Sequence, residues 1–345
     1  MATSTVKSSD LDFNNIKQSL KSHLKSKPEF SSYDFEASGL SNVLDVLAYN
    51  THLNGLTANF AMNESFLTTA QLRSSVVSHA QMLGYQTRSR TAANALINIS
   101  VNLSGVSGRP AKLTLDRGKQ FSSSIDGVTY TFRTREAIVA SDDGTGLYIF
   151  KNAAGSENIS ITEGIEKTKT FLVGEKVERQ IYIIPDETID TLTADVKVFE
   201  SSSSSSFVSF TPLSQAINVD ATTTHFSLHE SPNGFYELNF GDGISFGKSP
   251  EPGEKVEVKY LSCKGPVANN GTLFIPIDGI TVGGIEYSLS IVTNTESSGG
   301  DEKQSIESIR QLAPIAYAGQ QRLVTSLDYK AMIESNFPQV SSASV

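Results

Sequence analysis

The spacing of hydrophobic residues in this 345-residue chain changes near residue 90, and that change limits the folds open to it. Over the first ninety residues, apolar side chains recur every three or four positions, as they do on one face of a helix. From about Asn94 they alternate with polar residues, which is typical of a half-buried strand. The alternating residues are Ala95, Ile97, Ile99, Val101 and Leu103. The sequence therefore predicts a helical region followed by a β region.

Three amphipathic helices are predicted in the first region. The first ends before Pro28, because proline cannot continue the helical hydrogen-bond ladder. The second begins near Ser38, a residue type favoured at helix N-termini. The third runs from about Glu64 to Leu83, with Gly84 as its stop. Isolated helices of this length are marginal in water, so their apolar faces need another surface, either their own β region or a partner chain.

These helices form the candidate partner-binding region. The predicted interface residues are Leu40, Val43, Leu44, Leu47, Asn50, Asn54, Leu72, Val76 and Leu83. Four asparagines of the second helix lie four or five residues apart and are expected to share one flank; they are Asn50, Asn54, Asn59 and Asn63. They would form either a solvated face or interhelical hydrogen bonds that fix the register between chains.

Many short strand patterns, often separated by glycine-containing turns, fill the chain to about residue 298. Parallel βαβ units need helical crossovers of a dozen or more residues, and none is visible, so antiparallel or mixed sheets are predicted. The run Ser201–Ser206 is either a flexible join between two β units or the loop of one strand pair. After Gly299-Gly300, helical patterns return at Ser305–Ala316 and Ser326–Asn336.

The predicted fold class is α+β, with an N-terminal helical region, then antiparallel or mixed β-rich domains, then the start of a further α/β segment. The predicted domains are a helical assembly region over 1–90 and β-rich domains over 91–200 and 201–298. The second β-rich domain is either continuous or discontinuous with the first. A helical start of a further domain follows over 299–345. Because Gln339–Val345 resembles the beginning of a strand, the chain is expected to be the N-terminal portion of a longer protein.

Composition excludes several classes of function. With 28 basic and 37 acidic residues the net charge is −9, whereas a nucleic-acid scaffold needs a basic face. The single cysteine, Cys263, excludes an intrachain disulfide framework and a cysteine zinc cluster. No apolar run approaches the roughly 20 residues of a membrane span, and no secretory signal is visible. We therefore expect neither a nucleic-acid nor a membrane partner.

One segment comes close to a phosphate-binding loop. Asp242–Ser249 has the glycine and Lys-Ser end of that motif, but Asp242 replaces the first glycine and Pro250 follows where a helix is required. A nucleotide-driven switch is therefore a weak hypothesis. The preferred interpretation is a hairpin turn, because positive φ angles favour Gly and Asp. This turn comprises Gly241, Asp242 and Gly243, between Tyr236–Phe240 and Ile244–Phe246.

No other residue pattern points to catalysis or metal binding. His225 and His229 lie on a predicted strand, where a four-residue separation places them about 13 Å apart, too far to share a metal ion. No nucleophile motif is present around any serine or around Cys263. The sequence predicts no catalytic, cofactor-binding or metal site, and hence no enzyme.

Three groups of segments carry a resemblance to known phage proteins. The first group comprises Gly39–His52, Asn63–Leu67 and Leu72–Tyr85; the second comprises Phe240–Gly243, Val256–Tyr260 and Asn270–Gly271; the third comprises Arg310–Pro314, Arg322 and Val324–Tyr329. The first group resembles the N-terminal helical region of baseplate wedge proteins of contractile-tailed bacteriophages. The other two groups resemble the β core of the baseplate J-like superfamily and the block that follows it.

The resemblance implies a structural subunit of a phage tail baseplate. Such a subunit would oligomerise into a ring around the central hub and help to transmit the conformational change that triggers sheath contraction. The implied partners are a second copy, a larger wedge protein, and other baseplate and sheath-initiating proteins, in the virion after assembly in the host cytoplasm. The alternative is a glycan-binding or glycan-hydrolysing tail protein, which would need exposed aromatic platforms and a carboxylate pair; tryptophan is absent.

Overall fold

The computed structural model describes residues 12–35, 38–175, 180–216, 218–319, 325–326, 329–330, 332–333 and 343–344. The chain divides into two compact units. A helical unit comprises residues 1–85 and 306–317, and a β unit comprises residues 86–305 and 318–345. The predicted strand at Gln339–Val345 lies almost entirely outside the described residues, as does much of the predicted helix at Ser326–Asn336.

The helical unit contains four helices among the described residues. They are α1 (Phe13–Lys25), α2 (Leu40–Glu64), α3 (Arg73–Met82) and α4 (Ile306–Gly319). The carboxylate of Asp12 caps α1 by accepting a hydrogen bond from the N–H of Asn15 at 2.8 Å. Helix α4 coincides with the helix predicted at Ser305–Ala316. The helices at both ends of the described chain confirm the α part of the predicted fold class.

The predicted third helix, Glu64–Leu83, is wrong at its beginning. Glu64 is the last residue of α2, and α3 begins only at Arg73. The carboxylate of Glu64 accepts hydrogen bonds from the N–H of Gln71 at 2.8 Å and of Leu72 at 3.3 Å. These bonds hold the intervening residues in a turn, so α2 cannot continue into α3.

The β unit contains eighteen short strands among the described residues. They are β1 (Asn94–Asn102), β2 (Lys112–Leu115), β3 (Gln120–Ile125), β4 (Val128–Thr134), β5 (Ile138–Ser141), β6 (Leu147–Ile149), β7 (Ile159–Glu163), β8 (Ile165–Leu172), β9 (Tyr182–Ile184), β10 (Ile189–Phe199), β11 (Phe207–Pro212), β12 (His225–Glu230), β13 (Tyr236–Phe240), β14 (Lys255–Ser262), β15 (Ile275–Pro276), β16 (Ile280–Val282), β17 (Ile285–Tyr287) and β18 (Ser290–Ser298). Two sheets of seven strands contain most of them, and β2–β5 and β16–β17 form two small ribbons.

The first sheet has the strand order β15-β3-β4-β7-β1-β18, with β6 also paired to β1. All of its pairs are antiparallel. Along β1, buried and partly exposed residues alternate, which confirms the half-buried strand predicted there. The core of this sheet includes Ile97, Phe121, Phe132 and Phe150.

The second sheet has the order β8-β14-β10-β11-β12-β13-β9. The β11–β12 pair is parallel and the others are antiparallel. Its core includes Ile184, Val196, Tyr236 and Val258. The prediction of antiparallel and mixed sheets is therefore confirmed.

The six-serine run is the loop of one hairpin, which was one of its two predicted roles. Strands β10 and β11 pair from Val196↔Phe210 to Phe199↔Phe207, and Ser201–Ser206 joins them. The predicted boundary between residues 200 and 201 thus falls inside a hairpin of the second sheet. All strands of the second sheet lie between β7 and β15, so this sheet is inserted into the sequence of the first.

Candidate partner-binding site

Helix α2 has the apolar, uncharged composition of a helix that is covered on all sides, but most of its side chains are exposed. Throughout residues 46–63 it contains no Asp, Glu, Lys or Arg. A helix on the surface of a globular protein normally carries charged side chains on its outer face. Most side chains of α2 are nevertheless exposed, and the fully buried ones are Leu44, Ala48 and Asn59.

One side of α2 exposes five large apolar residues in a continuous stripe, here named the α2 stripe. Its members are Val46, Tyr49, Leu53, Leu56 and Phe60, which are 68, 58, 40, 48 and 48% exposed. The steps between them alternate between three and four residues, as in the apolar seam of a coiled coil. The α2 stripe therefore has the geometry to pack against another helix.

The structure divides the nine predicted interface residues by exposure. Leu44 and Val76 are buried within the chain, and Leu40 and Leu83 are half-buried. The exposed residues are Val43, Leu47, Asn50, Asn54 and Leu72. A partner can touch the exposed residues directly, whereas Leu44 and Val76 are covered by the chain itself. The role of the nine in partner binding stays a prediction.

The predicted common flank of the four asparagines is wrong. Asn50 and Asn54 are exposed, whereas Asn59 is buried and Asn63 is half-buried. The five-residue step from Asn54 to Asn59 rotates the side chain by about 140° around a helix of 3.6 residues per turn. The Nδ2 of Asn63 donates to the carbonyl oxygen of Asn59 at 2.7 Å, within the same helix.

Sequence analysis missed the α2 stripe although its spacing is visible. The same helix carries a second apolar series, and that series alone already predicts an apolar face. Its members are Leu40, Val43, Leu44, Leu47 and Ala48. Both series fit a helical period, and the charge-free interval at residues 46–63 is the signal that more than one face is covered.

Arg310 and Glu64 both make hydrogen bonds to the turn between α2 and α3, and these bonds fix the end of α2. From α4, the Nε of Arg310 donates to the carbonyl of Leu67 at 3.1 Å, and its Nη2 donates to that of Ala70 at 2.6 Å. The Glu64 carboxylate binds the N–H of Gln71. Desolvation raises the pKa of Glu64. The hydrogen bonds that its carboxylate makes with Gln71, Ser75 and Leu72 outweigh this effect and leave the pKa below its usual value.

The turn at Gly241, Asp242 and Gly243 is organised by one carboxylate. The Oδ1 of Asp242 accepts hydrogen bonds from the N–H groups of Ile244, Ser245 and Phe246 at 2.8, 2.9 and 2.8 Å. Because these bonds coil the chain, Ile244–Phe246 is not a strand, and the predicted hairpin is wrong. Strand β13 pairs instead with β12 and β9.

The same hydrogen bonds argue against a phosphate at this turn. In a phosphate-binding loop, free backbone N–H groups hold the anion. Here the N–H groups of Ile244, Ser245 and Phe246 bind the carboxylate of Asp242. A bound phosphate would have to displace that carboxylate and overcome its negative charge.

Asp242→Asn is expected to destabilise the β unit in a pH-dependent way. The N–H groups of Ile244, Phe246 and Ser245 hold the pKa of Asp242 far below its usual value. A carboxylate with a lowered pKa in the folded state stabilises above its unfolded pKa, and this contribution is lost as the pH falls. Thermal unfolding should therefore show a Tm difference from the wild type that is largest at pH 7 and shrinks below about pH 4.

The control for this experiment is Asp278→Asn, which removes an exposed carboxylate of the β unit. It should leave Tm nearly unchanged at every pH. A Tm difference for Asp242→Asn that stayed constant between pH 7 and pH 2.5 would contradict the assigned role of the carboxylate.

The histidines of β12 have separate surroundings. His225 packs edge-on against Phe246, with ring centroids 4.9 Å apart, and the Nε2 of His229 lies 3.0 Å from the Oγ of Ser227. Over the described ranges, no three His, Cys, Asp or Glu side chains come together in a way that could hold a metal ion.

No described helix has the length and apolar character needed to cross a membrane. The arrangement around α2 is suited to binding another protein.

Two comparisons relate the chain to baseplate proteins of phages. Residues 12–85, which contain α1, α2 and α3, match the helical domain of the family described as baseplate wedge protein gp6-like. The chain is also 29% identical over 358 residues to baseplate wedge protein gp6 of Enterobacteria phage T4, and the match covers 96% of the chain. Residues 12–85 are thus similar to the helical domain of the gp6-like baseplate wedge proteins.

The chain spans about half the length of this curated relative, of which 51% is covered. Among solved structures it is similar to the baseplate of the anti-feeding prophage, with a TM-score of 0.30, 12% identity, and coverage of 94% of this chain and 57% of that chain. It is also similar to the type VI secretion system TssK-TssF-TssG baseplate subcomplex, with a TM-score of 0.38, 7% identity, and coverage of 87% and 82%. These TM-scores are too low to imply a shared function.

Proposed function

We propose that this chain is a structural subunit of the baseplate wedge of a contractile phage tail. The family match at residues 12–85 and the similarity to a T4 wedge protein over nearly the whole chain support this role. Its place would be the tail baseplate of the virion, after assembly in the host cytoplasm. The subunit acts through binding and movement.

Its assembly role is proposed in finer detail from the resemblance and from α2. The chain oligomerises into a ring around the central hub, and its helices bind a second copy and a larger wedge protein. Other baseplate and sheath-initiating proteins complete the ring. The subunit helps to transmit the conformational change that triggers sheath contraction, as rigid parts that shift against one another.

The α2 stripe is the observation that carries this proposal. Its five residues expose apolar surface in a contiguous row, and such rows on soluble proteins mark interaction sites. The alternating three- and four-residue spacing fits a helix as the partner element. We assign the stripe to α2 of a second copy, because an uncharged helix carries no repulsion against its own duplicate.

Leu53→Asp combined with Phe60→Asp tests this assignment. The double variant places one charge at the centre of the stripe and one at its C-terminal end, where a partner helix would bury them without counter-ions. We expect self-association of the full chain, measured by light scattering and sedimentation equilibrium, to weaken by at least about 100-fold, since each buried unpaired charge costs several kcal/mol. Binding to the larger wedge protein is measured in parallel.

The matched control is Met82→Asp, which adds a charge at an apolar position of α3 that is 82% exposed and lies outside the stripe. All the substituted side chains are exposed, so the circular dichroism spectrum and Tm should stay close to the wild type. If the double variant associates as tightly as the wild type, the α2 stripe is not the assembly surface.

A further inference from the structure

The second sheet is attached to the first through two adjacent chain crossings. The chain enters the second sheet after Gly164 and returns before Gly265, and the first and last residues of the insertion are paired as Ile165↔Ser262. Both glycines have positive φ angles, 132° and 72°, which L side chains rarely adopt. The two crossings therefore lie side by side, as in a double-stranded hinge.

The two sheets have separate apolar cores. The first cluster of buried apolar residues includes Ile97, Phe132 and Ile161, and the second includes Val196 and Val258. No member is shared between the two clusters. Each sheet can therefore keep its own core closed if the contacts between the sheets change.

Arginines of the first sheet reach across to the second. The Nη1 of Arg117 donates to the Oδ2 of Asp195 at 2.9 Å. The Nη2 of Arg135, just after β4, donates to the carbonyl oxygen of Thr193 at 3.1 Å. The guanidinium groups thus bind charged and polar acceptors in the middle of β10.

Two buried carboxylates of the second sheet complete the contact from the other side. Asp190, 4% exposed, accepts a hydrogen bond from the N–H of Ala92 at 3.0 Å. Glu230, 1% exposed, accepts from the Oγ1 of Thr87 at 3.1 Å and lies 3.6 Å from the Nζ of Lys303. These contacts and those of the two arginines are here named the joint.

The extended segment that contains Thr87 and Ala92 leads directly into β1 of the first sheet. Residues 86–92 and 299–305 continue the β1–β18 pair outward, and Thr91 and Asp301 exchange backbone hydrogen bonds at 3.1 and 3.2 Å. Arg88 bridges the same two segments through Asp301 at 2.7 Å. The joint therefore links one body, the first sheet with its extension, to a second body.

Opening the joint would break hydrogen bonds and ion pairs. Water would replace the partners of the freed hydrogen-bonding groups, and the net loss per bond is modest. Burial raises the pKa of Asp190, which shows that its charged form is poorly solvated when the joint is closed. Rehydration of the Asp190 and Glu230 carboxylates would offset part of the lost contacts. Polar contacts of this kind suit reversible movement between domains.

We propose that the joint is a reversible contact, and that the two sheets move as rigid bodies about Gly164 and Gly265 when it opens. The movement gives the proposed wedge subunit an internal moving part, and its biological meaning rests on that proposed function. Its test uses the isolated full chain and does not depend on assembly.

Native-state hydrogen exchange of the full chain tests the joint without any substitution. The N–H of Ala92 is held by Asp190, and the N–H of Thr191 by the Oγ of Ser89 at 3.1 Å. Both should exchange at least about tenfold faster than the backbone amides within β1 and within residues 195–199 of β10, through an opening that depends weakly on denaturant. Exchange at the core rate, with the denaturant dependence of global unfolding, would overturn the proposal.

Arg117→Gln is the variant that loosens the joint. It should raise the exchange rates at Ala92 and Thr191 by about fivefold, while the amides within β1 and within residues 195–199 of β10 keep their rates. Equal acceleration of core and joint amides, or no acceleration at the joint, would count against the proposal.

The matched control is Arg109→Gln. It removes an ion pair with Asp142 at 2.6 Å that is not part of the joint. The exchange rates of the joint amides should therefore stay unchanged. The outcomes also separate the two proposals. If the joint exchanges only by global unfolding while Leu53→Asp/Phe60→Asp abolishes association, the movement is wrong and the wedge role stands.

Discussion

Gly241→Ala should lower the free energy of unfolding of the β unit by about 3 kcal/mol, a larger loss than conservative surface substitutions cause. A Cβ atom at residue 241 would lie 2.1 Å from the carbonyl oxygen of Phe246 and 2.3 Å from the carbonyl carbon and oxygen of Gly247. These are backbone atoms, so no side-chain rotation can relieve the clash. The turn held by Asp242 would have to open, and its hydrogen bonds would be lost with it.

Urea unfolding followed by tyrosine fluorescence measures this loss. Gly174→Ala is the matched control, because it adds the same methyl group at a glycine of the β unit with open space around it and no positive φ. The control should unfold within about 0.5 kcal/mol of the wild type. If both variants unfold alike, the close approach at Gly241 does not constrain the turn.

Arg310→Leu is expected to destabilise the helical unit by about 3 kcal/mol. The substitution leaves the carbonyl groups of Leu67 and Ala70 without their guanidinium donor, and Ala70 is fully buried. An unsatisfied buried polar group costs about 1–3 kcal/mol, and more where the lost partner was charged. Because the turn at residues 65–72 fixes the end of α2, self-association through the α2 stripe should weaken as well.

The control for Arg310 is Glu307→Gln. Glu307 pairs with Arg310 at 2.5 Å from the solvent side and is 69% exposed, so its loss removes an ion pair but neither carbonyl contact. We expect a change below about 1 kcal/mol for this control. Thermal unfolding monitored by circular dichroism at 222 nm compares the variants. A wild-type melting curve for Arg310→Leu would show that the turn is held by other contacts.

Features set by neighbouring residues could be predicted from the sequence. The first helix ends before Pro28, and the alternation from Ala95 to Leu103 gives the half-buried strand β1. The α+β class follows from the change of period between these two regions, and the structure confirms it. In both cases the determining residues lie within one or two turns or strand steps of the element they define.

Features set by distant residues could not be predicted. The break between α2 and α3 depends on Glu64, whose carboxylate captures an N–H seven residues further on. It depends equally on Arg310, which lies more than two hundred residues away in the chain. A helical period continues through this segment, so periodicity alone placed the start of the third helix at Glu64 and not at Arg73.

Six of the nine predicted interface residues lie on α2, but none of them belongs to the α2 stripe, and their role in partner binding stays a prediction. Leu44 and Leu53 both belong to apolar series with helical spacing, yet Leu44 is buried and Leu53 is exposed. Periodicity shows that a face is apolar, but it does not show whether the same chain or another covers it. The uncharged interval around Leu53 was the remaining signal.

The nesting of the two sheets has a consequence for how the polypeptide acquires its structure during synthesis. Every strand of the second sheet lies in one uninterrupted stretch, from Ile165 to Ser262. The first sheet needs β18, because β1 pairs with it from Asn94↔Ser298 to Ser100↔Ser290. During synthesis, all strands of the second sheet therefore leave the ribosome before β18 does. One edge of β1 stays unpaired until then, because β18 lies nearly two hundred residues downstream.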